Sequence, residues 1–306
     1  MIKNLDIEFL LVKFPIIFPI LYGAILYIAP QFETYLIFFT LLILAETHFG
    51  ATWPFFLNKS NSTFIKENKI SLISFPLLIA ISSLLGFIFF KATFLLIFFA
   101  ANMYHVTRQS FGVCKLYSNE KKEVMFQETY IYIFNALFFL IGFFRFYFPI
   151  ITEEYLLTLN LLIIIGIISL ICIYLLKFKN SKGIYTFLTG IIIFFPICFV
   201  SNPVHAIIMG VTMHYTQYLY LTFKVFNGRK ISKTIETSKT TYLWTIIFYS
   251  TAMSLLSILG KNSNEILNFL IIVPIIGQML HFYLDSQLWK FSNPHNRENV
   301  LNYIKH

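Results

Sequence analysis

The chain has 306 residues, of which 58% are hydrophobic and only 12% charged, and its formal net charge is +9. Soluble domains carry about 25% charged residues, so this composition excludes an ordinary soluble protein. The positive charge does not indicate a nucleic-acid partner, because the basic residues stand in short segments between long apolar runs. The three cysteines lie far apart, which predicts neither a disulfide framework nor a cysteine zinc site.

Long apolar runs predict an all-α, polytopic integral membrane protein with about ten transmembrane helices. A bilayer core about 30 Å thick requires roughly 20 apolar residues per spanning helix. The predicted spans are 14–29, 34–57, 70–90, 92–113, 128–149, 155–176, 183–200, 202–224, 241–260 and 265–289. We expect residues 1–306 to form a single transmembrane domain with a short polar cytoplasmic tail at 290–306. The N-terminal segment has no small-residue cleavage site, so we expect no removable signal peptide.

Basic residues alternate between the two sides of these spans. All but three of the 23 Lys and Arg residues fall on one side, and the exceptions are Lys91, Arg145 and Lys261. The positive-inside rule makes the basic side cytoplasmic. The sequence therefore predicts a multi-pass protein of the bacterial inner membrane with both termini in the cytoplasm.

Four of the seven histidines share one depth in the predicted bundle. His48, His105, His214 and His281 lie on the second, fourth, eighth and tenth spans, 9 to 11 residues before the next lysine. At 1.5 Å per residue, each imidazole is roughly 15 Å from the cytoplasmic boundary. An imidazole at that depth costs free energy unless it has a partner. Clustered neutral imidazoles in a dry interior suit a transition metal, so the sequence predicts one shared metal site.

Polar residues accompany these histidines. Gln109 and Asp285 follow their histidines at i+4 and Gln217 at i+3, which places each on the histidine's own helix face. Glu46 points to a different face, and we expect it to bond a neighbouring helix. We expect Arg108 to neutralise Asp285 or a substrate head group. These five residues are the candidate catalytic or ligand-orienting groups. The aromatic candidates to line an apolar cavity are Phe49, Trp53, Tyr104, Tyr215 and Tyr218.

The other three histidines have simpler expected roles. His205 lies near the outer end of the eighth span, where we expect it to cap the helix or to form a hydrogen bond. His295 and His306 lie in the polar tail, and we expect both to be solvated.

Two other classes of function also use buried polar residues. A proton- or ion-coupled transporter could use Glu46, Arg108 and Asp285 as a relay, although no inverted repeat and no Gly/Pro-interrupted helix pair is visible. A haem-binding membrane protein would need facing histidines with small residues beside each ring, and only Gly50 and Gly210 are suitably placed. Both alternatives stay open beside the metal site.

Three short segments carry the histidines in a recognisable pattern: His48-Phe49-Gly50, the polar helix around His214, and His281-Phe282-Tyr283-Leu284-Asp285. They resemble the histidine motifs of Brp/Blh-type membrane carotene dioxygenases, and the resemblance implies one iron ion held by four histidines. The chain departs from that pattern because it has HxxQ at His214 and Gln217 in place of HxxxH, and no early PHG-type motif. It also lacks the HxxxH and HxxHH boxes of membrane fatty-acid desaturases and hydroxylases.

The residues and the resemblance together lead us to expect a membrane-embedded, metal-dependent oxygenase or desaturase. The expected metal is Fe(II), bound by the four histidines of the shared depth. The expected substrate is lipophilic, such as a carotenoid, an acyl chain or another lipid, and dioxygen is the expected co-substrate. Both dissolve in the bilayer, whereas a hydrolytic zinc site would need water at mid-membrane. Membrane lipid is the expected surrounding medium.

Overall fold

The computed structural model describes residues 6–56, 59–118, 120–179, 181–231, 239–261 and 267–304. Within these ranges every regular element is helical, as predicted, and no strand occurs. The α-helices are α1 (Ile17–Ile28), α2 (Glu33–Thr40), α3 (Glu46–Gly50), α4 (Trp53–Phe56), α5 (Lys59–Glu67), α6 (Phe75–Phe89), α7 (Lys91–Tyr117), α8 (Lys121–Gly142), α9 (Glu153–Lys177), α10 (Ile184–Ile192), α11 (Pro203–Ile231), α12 (Lys239–Lys261), α13 (Ile272–Leu288), α14 (Pro294–Asn296) and α15 (Asn302–Ile304).

Shorter helical turns adjoin several of these helices. Five of those in the described ranges are π-helical: Phe9–Lys13, Leu41–Ala45, Ile70–Ser74, Phe143–Tyr147 and Arg297–Leu301. Three are 3-10 turns: Pro30–Phe32, Phe195–Cys198 and Leu267–Ile271. Single π turns are frequently found at functional sites, and one of them directly precedes α3, which carries two of the candidate residues.

In the part of the chain that the structure describes, six helical segments are long and apolar enough to cross a membrane. They are Pro30–Phe56, Ile70–Phe89, Lys121–Tyr147, Glu153–Lys177, Lys239–Gly260 and Phe269–Leu288. Large apolar side chains such as Leu176 and Phe248 are exposed on them, at 72% and 77%. Such surfaces are stable in a hydrocarbon medium and are unfavourable in water, because exposed apolar area is costly there.

Within the described residues, the ten predicted spans all overlap helical segments, but only six of these segments are both long and strongly apolar. Ile17–Ile28 and Ile184–Cys198 are apolar but short. Helices α7 and α11 have 27 and 29 residues and are more polar than the other six. Their buried polar side chains include Asn102, His105, Thr107 and Ser110 on α7, and Thr212, His214, Thr216, Gln217 and Thr222 on α11.

The chain forms two compact units, each built from two stretches of sequence. Unit 1 consists of Met1–Phe38 and Met103–Gln217, and unit 2 consists of Phe39–Asn102 and Tyr218–His306. Each unit contains two of the four histidines that the sequence places at one depth.

In unit 1, α10 packs against α8 and α9. The sequence predicts a span over 183–200, but α10 ends at Ile192 and a 3-10 turn follows. Irregular backbone inside a membrane-type protein must find hydrogen-bond partners within the protein. Arg145 supplies them here, since its Nη1 donates to the carbonyls of Ile197 and Val200 at 2.6 and 2.8 Å.

In unit 2, α12 packs against α3, and α13 packs against α6. The π turn Leu41–Ala45 disturbs the regular backbone hydrogen bonds before α3. Ser250 on α12 donates to the carbonyl of Leu42 and so stabilises this turn. A Cβ atom on Gly50 would stand 3.0 Å from the ring of Tyr249, so glycine allows α12 to approach α3 closely. This packing holds α3 in place.

The C-terminal tail packs against other parts of unit 2. The sequence predicts a polar tail at 290–306 with a solvated His295. In the structure His295 is half-buried, its Nε2 lies 2.7 Å from Oδ1 of Asn61, and its ring stacks on Phe64 at 4.2 Å between centroids. The expectation of a solvated His295 is therefore wrong, because an aromatic ring and an amide contact both sides of its imidazole. His306 lies outside the described residues.

Candidate metal centre

Two buried histidines of unit 2 lie next to each other. His48 on α3 and His281 on α13 have no solvent-exposed area. Their ring centroids are 4.5 Å apart, with an interplanar angle of 65°. The ring of Phe49 contacts His281 at 5.1 Å, and the ring of Tyr218 contacts His48 at 4.4 Å. This close edge-to-face arrangement leaves no space for a porphyrin between the two imidazoles, so the pair suits a bare ion better than haem.

A chain of hydrogen bonds connects His281 to Asp285. Thr52 Oγ1 lies 2.7 Å from His281 Nδ1 and 3.0 Å from the hydroxyl of Tyr218. The Tyr218 hydroxyl also forms a hydrogen bond with the carboxylate of Asp285. Trp289, four residues after Asp285, donates its Nε1–H to Asp285 Oδ1 at 2.6 Å.

The carboxylate at the end sets the direction of the bonds in this chain. An ionised carboxylate only accepts hydrogen bonds, so Tyr218 donates to Asp285. The Tyr218 oxygen then accepts from Thr52, and Thr52 accepts from the Nδ1–H of His281. From this network we infer the Nδ1–H tautomer of His281, which places its lone pair on Nε2. Nε2 is therefore the atom that would bind a metal ion, and Asp285 acts on it through two hydroxyl groups.

Glu46 bonds a neighbouring helix of unit 2, as the sequence predicts. Its side chain is 3% exposed, and its Oε1 accepts a hydrogen bond from Gln278 Nε2 of α13 at 3.3 Å. A carboxyl group is costly in the interior of a membrane-type protein unless it has polar partners. The contact with Gln278 therefore joins α3 to α13, the two helices that carry His48 and His281.

Unit 1 carries the second pair, His105 on α7 and His214 on α11. Their ring centroids are 5.3 Å apart, and the two rings are nearly perpendicular at 87°. Both side chains are buried, with 7% and 1% exposure. Gln217, one turn after His214, donates its Nε2–H to the backbone carbonyl of Val12 at 2.7 Å. Gln217 thus ties the N-terminal segment to α11, and its role in orienting a ligand stays a prediction.

The two candidate residues that follow His105, Arg108 and Gln109, are less buried than the histidine. Arg108 is exposed and Gln109 is half-buried. The sequence analysis expects Arg108 to neutralise Asp285 or a substrate head group. Asp285 already accepts hydrogen bonds from Tyr218 and Trp289. The roles of Arg108 and Gln109 stay predictions.

Two of the four predicted ligands lie close together in unit 2. One ring nitrogen each of His48 and His281 lies within 4.8 Å of the other, and both side chains are buried. Neutral imidazole nitrogens suit zinc, copper or iron. In unit 1, the rings of His105 and His214 form the other close pair of predicted ligands.

A fifth buried histidine, His205 of unit 1, has structural partners. Its Nδ1 lies 2.7 Å from the hydroxyl of Tyr22, and its Nε2 lies 3.6 Å from Oε2 of Glu33. The prediction that His205 forms a hydrogen bond near the end of its helix is confirmed. His205 is therefore an example of a buried imidazole that has a tyrosine and a glutamate as partners and no predicted metal role.

The sequence analysis missed three residues of the unit 2 network. Thr52 stands four residues after His48, and Trp289 stands four residues after Asp285. The i+4 offset identified Gln109 and Asp285 as candidates. A search for hydroxyl and indole groups at the same offset would also have identified Thr52 and Trp289. Gln278 lies on a different helix from Glu46, and no spacing in the sequence indicates that contact.

The chain was compared with the models of known protein families, with curated proteins and with solved structures, and none of them matches. The function is therefore argued from the chemistry of the site.

Proposed function

We propose that this protein is a membrane-embedded, metal-dependent oxygenase or desaturase of the non-haem iron type, acting on a lipophilic substrate. The observation that carries the proposal is the buried pair of His48 and His281 in unit 2, whose ring nitrogens lie within 4.8 Å of each other. Imidazoles are neutral ligands, so a divalent ion bound there would keep its positive charge. His105 and His214 are the other proposed ligands, because the sequence places them at the same depth.

The residues present fit a divalent transition metal. Metal-binding histidines usually donate their second ring N–H to another group, which fixes the ring and raises its basicity. His281 has such a partner in Thr52, backed by Tyr218 and Asp285. Histidine ligation alone leaves zinc, copper and iron possible. Iron is proposed because it supplies dioxygen activation, and dioxygen and lipids both partition into a hydrocarbon phase.

The proposed substrate class follows from the surroundings of the site. Six described helices are long and apolar enough to cross a membrane, which supports an apolar medium around the site. A carotenoid, an acyl chain or another lipid reaches such a site from the bilayer, and a polar metabolite would have to leave water first. The resemblance of the histidine segments to Brp/Blh-type carotene dioxygenases supports the same class. Dioxygen is the proposed co-substrate, and membrane lipid the medium.

Metal analysis of detergent-purified protein tests the proposal. The expected result is about one iron per chain, and oxygen consumption that requires a reductant, iron and a lipid extract as substrate. The control is His205→Ala, which removes a buried imidazole outside the proposed site and should keep the metal. Protein without bound metal that moves protons across liposomes would favour the transporter, and a haem absorption spectrum would favour haem binding.

We also propose ten spans, cytoplasmic termini and location in a bacterial inner membrane, on the distribution of lysine and arginine. Lys121→Cys and Glu154→Cys form a matched pair, because they stand at the first turns of α8 and α9. In a background with the native cysteines replaced by serine, Glu154→Cys should react with an impermeant maleimide on intact cells. Lys121→Cys should react only after lysis. Labelling of Lys121→Cys on intact cells would contradict the topology.

A further inference from the structure

An open-sided cavity of about 420 Å³ lies in unit 2, apart from the histidines, and half of its lining residues are exposed. It is bounded by α6, the first turns of α7 and one residue of α13. Ligand-binding cavities typically measure about 300–1,000 Å³, so its volume is sufficient for a small molecule or a chain segment. Its lining residues are Leu78, Ile79, Ser82, Ser83, Gly86, Phe90, Thr93, Phe94, Ile97 and Met279.

Small side chains on α6 create this cavity. Ser82, Ser83 and Gly86 are spaced so that they lie on one helix face, and each leaves space that a leucine would fill. A Cβ atom on Gly86 would stand only 3.0 Å from the ring of Phe94, so glycine allows this lining ring to pack closely against α6. The two serines lie near the middle of the membrane-length segment Ile70–Phe89.

The chemistry of the lining selects a hydrocarbon occupant. No charged residue lines the cavity, and three hydroxyl-bearing residues are its only polar side chains. Met279 likewise lies in the middle of its segment, Phe269–Leu288. At that depth the medium around a membrane helix is acyl chain, so a hydrocarbon chain enters without leaving water. A polar ligand would lose its hydrogen bonds there without replacement.

Aromatic side chains connect the cavity to a metal-site histidine. Phe282 lies three residues after Met279, on the same face of α13. Its ring centroid is 6.0 Å from that of Phe98, which follows the lining residue Ile97, and 6.2 Å from that of Phe49. The ring of Phe49 in turn lies 5.1 Å from that of His281, so aromatic rings lead from beside the cavity to the imidazole.

We propose that this cavity binds the hydrocarbon chain of the lipid substrate, with the rings of Phe282 and Phe49 leading from the chain to His281. The assignment rests on the proposed function, since it gives that site its substrate contact. The chain lies between α6, α7 and α13. The observations that carry the proposal are the apolar lining, the depth of the cavity and its aromatic connection to His281.

Photolabelling with a fatty acid that carries a mid-chain diazirine tests the proposal on the full chain in nanodiscs. Labelling of the lipid-facing surface is not saturable, whereas labelling of a defined cavity is competed by excess unlabelled fatty acid. In the wild type, the expected saturable labels fall on the peptides that contain Ser82–Phe94 and Met279. Ser82→Phe fills the cavity from an exposed position and should lose the saturable component.

The matched control is Ile81→Phe, which adds a similar ring at a neighbouring exposed position that does not line the cavity. It should keep saturable labelling. Phe282→Ala should extend the labelling to the peptide that contains Phe49. Wild-type levels of saturable labelling in Ser82→Phe, or none in the wild type, would overturn the cavity assignment.

Metal content measured on the same samples separates this proposal from the previous one. Metal-loaded wild type without saturable labelling would refute the cavity and leave the metal site standing. Metal-free wild type with saturable labelling at these helices would refute the oxygenase and keep the lipid site.

Discussion

The two histidine pairs look alike in the sequence but have different surroundings. Asp285 and Gln217 each follow a histidine by about one helical turn. In unit 2, Asp285 ends a hydrogen-bond chain that fixes the tautomer of His281. In unit 1, Gln217 donates to the backbone carbonyl of Val12. The spacing of a polar group one turn from a histidine therefore does not predict its hydrogen-bond partner. Any buried donor or acceptor nearby must also be satisfied, and the polar group can bond to it instead.

The largest expected effect distinguishes a central ligand from a peripheral one. His281→Ala should abolish metal binding, because it removes one ring nitrogen of the close pair in unit 2. His214→Ala should keep part of the metal, since the His48–His281 pair remains. Metal per chain, measured by plasma mass spectrometry after identical purification, gives the comparison. Equal and complete loss in both variants would show that His214 is as essential as His281.

The second effect concerns the hydrogen-bond chain of unit 2. Tyr218→Phe removes the link between Thr52 and Asp285, so the Nδ1–H tautomer of His281 loses its support. Loss of such an outer partner typically lowers metal affinity about 10–100-fold. Competition with a chelator measures the change. The matched control is Tyr242→Phe, a buried tyrosine of the same unit that bonds Thr222, and it should leave the affinity unchanged.

The third effect is on stability and belongs to unit 1. Gln217→Leu should lower the free energy of unfolding by about 1–3 kcal/mol, because the buried carbonyl of Val12 loses its donor. Metal affinity tests the predicted ligand-orienting role of Gln217, and it stays unchanged if the amide serves only the backbone. Denaturation in mixed detergent and chelator competition report the two quantities separately. A tenfold loss of metal affinity at unchanged stability would instead place Gln217 in the metal site. Both histidine pairs would then have a polar residue that supports a metal ligand.

The smallest effect is expected at His205 of unit 1, a buried histidine outside the proposed metal site. Tyr22→Phe removes one hydrogen bond to His205 and should cost about 0.5–1.5 kcal/mol of unfolding free energy. Metal content should not change. A loss of metal in this variant would show that buried histidines respond together to any disturbance of unit 1, and the variants at the proposed ligands would then need reinterpretation.

Much of the candidate site could be anticipated from residue spacing. The common depth of His48, His105 and His281 follows from counting residues to the next lysine, since a helix has a fixed rise. Contacts within one helix, such as Asp285 with Trp289, follow a fixed offset. The contact of Thr52 with Tyr218 joins two distant parts of the chain, and its geometry depends on how the helices pack.

The sequence by itself determined the helical class and the approximate positions of the long apolar helices, because apolar runs of bilayer length can satisfy their backbone hydrogen bonds only internally. It also indicated four of the buried histidines. Only the tertiary structure decided where α10 ends, which hydroxyl groups fix the ring of His281, and that Gln217 bonds the backbone. The reason is physical: helix formation depends on neighbours along the chain, whereas hydrogen-bond partners in a dry interior are chosen among all groups that packing brings within about 3 Å.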